Sequence, residues 1–90
     1  MITWPELAAV EPRLAELEEA VRLEAQTADS DPMWSFSIYW SRTLRPAIKP
    51  LVGWERDTGA HPKLHTEEAW HAAISYLIGL LPAGEGLWAS

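Results

Sequence analysis

The chain has no cysteine, so disulfide bridges and thiolate metal sites are excluded from the start. It also has no asparagine and a single glutamine, and arginine outnumbers lysine five to two. The shortage of thermally labile residues points to a thermophilic source, although GC-rich coding produces a similar Arg and Ala bias. No uncharged apolar run reaches the roughly 20 residues needed to cross a bilayer, and Met1 is followed by no apolar leader. The expectation is a cytoplasmic protein without a membrane segment. Catalytic signatures are missing as well. Gly53, Gly59, Gly79, Gly84 and Gly86 lack the spacing and the following lysine of a phosphate-cradling loop. Ser35, Ser37, Ser41 and Ser75 occupy no strand-turn-helix nucleophile elbow. No catalytic residue and no cofactor are therefore assigned, and the chain reads as non-enzymatic.

What the chain does contain is tryptophan and unevenly placed charge. Ninety residues make one domain with a small core, covering residues 1–90. Trp4, Trp34, Trp40, Trp54, Trp70 and Trp88 are spread along the chain, which suits a shared core better than one local cage. The net charge is −6. Residues 1–31 hold eight acidic and two basic side chains, residues 32–65 five basic and two acidic, and residues 66–90 three acidic ones. An acidic chain is a poor generic binder of nucleic acid, whose affinity comes from neutralising phosphates. The positive middle is expected to face the negative first helix.

The clearest element is 66–81. Thr66 is a natural N-cap, Glu67 and Glu68 sit where the helix dipole is positive, and Pro82 ends the helix. Trp70, Ile74, Leu77 and Leu81 recur on one face, flanked by Ala69, Ala73, Leu80 and Ile78. On the other side Ala72, Ser75 and Gly79 form a small-residue stripe suited to close helix contact, with the first helix or with a second subunit. A first helix over 4–26 opens on a capping-box pattern, Thr3 with Glu6. Pro12 either kinks it or begins a second helix. Leu7, Val10, Leu14, Leu17 and Val21 make its apolar seam, and Glu11, Glu16, Glu18, Glu19 and Glu24 lie off the seam. These glutamates read as a solvated surface or as an acidic face for a basic partner.

Residues 27–32 read as a compact turn, with Asp31 capping a further helix over 32–45 and Pro32 in its first position. Trp34, Phe36, Ile38 and Trp40 alternate as in a strand, whereas Met33, Phe36, Trp40 and Leu44 share a helical face. The helix is preferred, because a lone strand has no partner. Pro46 is expected to stop it near Arg45. Residues 46–65 form a Pro/Gly-rich crossover, pinned by Ile48, Leu51, Val52 and Trp54, with one short helical turn around Leu51. Residues 82–90 are a C-terminal tail. The fold class is all-α, a small three-helix bundle with a Pro-rich crossover before the last helix.

Two constellations carry candidate chemistry. His61, His65 and His71 with Glu67 and Glu68 resemble metal ligands but lack two histidines one helical turn apart, and no metal is assigned. Arg42, Arg45 and Lys49 step along one side of the second helix, with Trp54 available for stacking, and form the candidate partner-binding set. The functional expectation is a protein-interaction module that self-associates, with a homodimer favoured over a different protein partner. A small-ligand or metal-binding domain built from Trp, His and Glu is the alternative, followed by a nucleic-acid accessory protein.

Overall fold

The computed structural model describes residues 2–52 and 62–82. It is all-α, and no strand occurs among the described residues. Pro12 begins a second helix rather than kinking the first. α1 (Trp4–Val10) stops because the residue before a proline is driven from helical geometry, and Glu11 is extended at φ −129°, ψ 94°. α2 (Arg13–Ser30) follows at once. The Glu11 side chain accepts from the free Arg13 amide at 3.3 Å and holds the Arg13 guanidinium at 2.8 and 2.9 Å. α2 runs four residues past the expected end at Gln26, through the segment read as a turn. The Ser30 hydroxyl bonds back to the carbonyls of Gln26 and Thr27, both at 3.2 Å, and the Asp31 amide continues the helical bonding to Thr27.

The next helix starts later than Asp31 and Pro32 suggest. Asp31 does bind the following backbone, accepting from the Met33 amide at 2.9 Å, but this makes one turn and does not propagate. Ser35 is the working cap, extended and accepting from the Ile38 amide at 3.4 Å. Helical backbone then runs on as α3 (Phe36–Tyr39), a π turn (Trp40–Leu44) and α4 (Arg45–Ile48). The expected stop before Pro46 is bypassed by the π turn. Proline has no N–H to donate and its ring crowds the carbonyl four residues earlier, while the wider turn bonds the Arg45 amide to Trp40, five residues back. Residues 46–48 are thus helical, not crossover. Amides of Leu51 and Val52 bond to the Ile48 carbonyl, giving the short turn expected around Leu51. Trp54 lies outside the described residues, as does most of the expected crossover.

A 3-10 turn (Pro62–Leu64) leads to α5 (Glu67–Ile78). Thr66 caps it as expected, accepting from the Ala69 amide at 3.0 Å. Its α-helical bonding ends three residues earlier than Leu81, and Leu80 and Leu81 instead bond to Leu77 and Ile78 in tighter turns. Gly79 is consequently the C-cap, in ordinary right-handed geometry at φ −62°, and not a mid-helix glycine.

The core joins all the helices. Leu7, Leu14 and Val21 of the expected seam are fully buried with Leu44, Ile48, Val52, Leu64, Ile74 and Leu77. Val10 and Leu17 pack against its edge. Tryptophan contributes less to this centre than its abundance suggests. Trp4 is buried, whereas Trp34, Trp40 and Trp70 are half-buried at the rim, and Trp88 lies outside the described residues. No helix among the described residues is long and apolar enough to cross a membrane.

Candidate interaction surface

Two tryptophans, buried Trp4 and half-buried Trp34, take up part of the acidic charge of α2. The Trp4 indole N–H donates to Glu18 at 2.9 Å, and the Trp34 indole N–H donates to Glu24 at 2.7 Å. The Tyr76 hydroxyl donates to the second Glu18 oxygen at 2.8 Å, where Arg22 also binds at 2.9 and 3.1 Å. Trp4 stacks on Tyr76, with ring centroids 4.6 Å apart and planes 6° from parallel. One carboxylate therefore ties α1, α2 and α5 together. Hydrogen bonds from Tyr76 and Trp4, with Arg22 alongside, hold the Glu18 carboxyl below its ordinary range. The same bond to Glu18 raises Tyr76, and burial with the nearby Glu24 charge raises Tyr39. The Arg13 fork holds Glu11 down at about 2.

For Arg42 and Arg45 this arrangement differs from the expectation that the positive middle faces the first helix. Glu18 and Glu24 are taken by tryptophans and by Arg22, and Arg42 and Arg45 point to solvent on the outer side of their helix. Among the described residues neither arginine has an ion pair; the pairs present are Glu11–Arg13, Glu18–Arg22 and Glu67–His71. Lys49 differs from the two arginines, being half-buried and already engaged.

Beside Arg42 and Arg45 the chain exposes apolar surface. Met33 is 86% exposed and Ile38 54% exposed. Neighbouring aromatics of the same segment form a cluster: Trp34 meets Phe36 edge-on at 6.4 Å and Tyr39 at 6.1 Å, and Phe36 lies nearly parallel to Trp40 at 6.5 Å. The third exposed large apolar side chain, Leu23 at 59%, stands on the outer side of α2 with exposed Glu19 and Glu16 one and two turns before it. The sequence alone groups Glu16 and Glu19 with the other glutamates and gives Leu23 and Ile38 no surface role. Their position directly opposite each helix's buried seam was the available signal.

The small-residue stripe lies differently from its expected within-chain contact. Ala72 packs against the core edge, but Ser75 and Gly79 are exposed, and α1 meets α5 through Trp4 and Tyr76 instead. A Cβ on Gly79 would meet only carbonyls of its own preceding turn, Ser75 at 3.2 Å and Tyr76 at 3.4 Å. Of the histidine set, His71 approaches Glu67 at 3.5 Å, as their one-turn spacing implies. His61 lies outside the described residues, and no group of three metal-ligating side chains comes together among those described. Comparison with known protein families, with characterised proteins and with solved structures finds no match to this chain.

Proposed function

We propose that this chain is a non-enzymatic helical protein-interaction module that associates with itself. The observation that carries the reading is the grouping of exposed Met33 and Ile38 with Arg42 and Arg45, which have no ion pair among the described residues. Single exposed apolar residues are ordinary. Methionine, arginine and aromatics gathered in one place are the composition enriched at protein interfaces, and here Trp34, Phe36 and Trp40 give the surface a stiff floor. Two exposed arginines on a chain of net charge −6 make a weak footprint for phosphate backbones, so a protein surface is the better counterpart. Size-exclusion chromatography with light scattering tests the proposal. The expected result is a mass that rises from one chain toward two between low and high micromolar concentration, and a constant single-chain mass contradicts self-association.

A further inference from the structure

The joint between α1 and α2 turns on one residue. The Glu11 amide closes the last turn of α1 on the Leu7 carbonyl at 2.9 Å, and the Glu11 carbonyl opens α2 by accepting from the Leu14 amide at 3.0 Å. Among the described residues no backbone hydrogen bond joins residues 2–10 to any residue beyond Glu11. Rotation about Glu11 therefore moves α1 without breaking either helix. The Arg13 amide and guanidinium fix the Glu11 side chain to the start of α2, which leaves φ as the free axis. Its value of −129° lies inside a broad allowed range, about −80° to −160° before a proline. A swing of about 40° within that range displaces the far end of a helix about 10 Å long by up to about 7 Å.

The far end is where α1 is pinned. The Trp4 indole N–H donates to Glu18 of α2 at 2.9 Å, its ring stacks on Tyr76 of α5, and the Ile2 amide donates to Glu68 of α5 at 3.1 Å. Between pin and pivot, α1 places one fully buried side chain in the core, Leu7. The rest of the molecule holds most of the core without it: of the sixteen buried apolar residues described, only Trp4 and Leu7 belong to α1. A seven-residue helix is well below the length that stands alone in water, so α1 keeps its hydrogen bonds only while docked. We propose that α1 is a hinged arm, pivoting on Glu11 and pinned through Trp4 to Glu18, that lifts as a unit from a core that stays folded. Lifting bares the ring face of Tyr76 and the apolar seat of Leu7 against α2 and α5.

Native-state hydrogen exchange, read by nuclear magnetic resonance in urea below the unfolding transition, tests the arm. The amides of Leu7 to Glu11 are expected to share one opening equilibrium that grows with urea and lies at least about tenfold above that of the central α2 and α5 amides. Ile48→Val trims the core at α4, outside the arm, and the lifted state keeps that position buried. It is expected to speed exchange in α2 and α5 about two- to tenfold and to leave α1 unchanged. Glu18→Gln weakens the pin and is expected to speed α1 exchange about fivefold. Exchange of α1 at the rate of α2 and α5, with Ile48→Val speeding all three alike, overturns the proposal, because α1 then opens only in global unfolding. Exchange of α1 that ignores urea shows residue-by-residue fraying and overturns it as well. Unchanged α1 exchange in Glu18→Gln also overturns it, because the pin is then not at Glu18.

Discussion

Glu18 is the residue whose removal should be felt furthest from its own helix. Truncation to alanine leaves the buried Trp4 indole N–H and the Tyr76 hydroxyl without their acceptor, and an unsatisfied buried donor costs about 1–3 kcal/mol. Glu24→Ala removes the same kind of bond from a half-buried indole that water can reach, and less than about 1 kcal/mol is expected. Urea unfolding of the two variants checks the order. The same carboxylates set the acid limit of stability. Glu18 and Glu11 have folded pKa values below their unfolded ones, so their contribution is complete above ~4.3, the ordinary glutamate value, and is lost as pH falls through the folded values, about 2 for Glu11. The urea midpoint should drop between pH 4 and pH 2 by less in Glu18→Gln than in wild type. At the alkaline end the only two tyrosines are both raised, Tyr76 by its bond to Glu18 and Tyr39 by burial. Absorbance at 295 nm should therefore titrate above the ordinary value of ~10 in the folded protein, and a normal tyrosine curve would contradict both assignments.

At the scale of elements, the helices begin and end where local hydrogen bonding decides, and this divides what could be read in advance from what could not. Thr66 followed by two glutamates is a cap that depends on its own turn alone, and it stands where the sequence puts it. Asp31 offers an equally good local signal, but its helix would have to run on through Trp34 and Ser35. Trp34 instead turns to Glu24 on α2, a bond between residues on different elements that periodicity cannot reveal. Pro46 is the converse case. A proline normally marks an end, yet burial of Leu44, Ile48 and Val52 on one side rewards carrying the helix past it, and the π turn supplies the geometry. The apolar seams were legible because burial repeats at the helical period, whereas the depth of Trp34, Trp40 and Trp70 at the core edge was not, because an indole needs both apolar cover and a partner for its N–H. The caps can be ranked by experiment. Thr66→Ala breaks a 3.0 Å bond and should cost ~1 kcal/mol, while Ser35→Ala breaks one of 3.4 Å and should cost less. Equal losses in thermal unfolding would show that Ser35 caps more strongly than its distance indicates.

For the whole molecule, the charge asymmetry written along the chain becomes a division of surface. Residues 1–31 and 32–65 differ in sign, and the fold uses part of that difference internally, through Glu18 and Glu24, while turning Glu16, Glu19, Arg42 and Arg45 outward. The candidate arginines were legible as residues, but their freedom from α2 was not, because it depends on which acids the tryptophans occupy. The proposed self-association would combine charged Arg42 and Arg45 with apolar Ile38 and Met33, so added salt should weaken it without abolishing the apolar contribution. Gly79→Leu separates this contact from one through the small stripe of α5. Gly79 is exposed and a Cβ there meets only its own turn, so the variant should associate as wild type does, and selective loss of the dimer would move the interface to Ala72, Ser75 and Gly79. Sedimentation equilibrium of the wild-type chain, from low to high micromolar concentration and at low and high salt, tests the central claim most directly. A reversible dimer whose dissociation constant rises with salt is expected, and a single species of 10.1 kDa at every concentration and salt would contradict it.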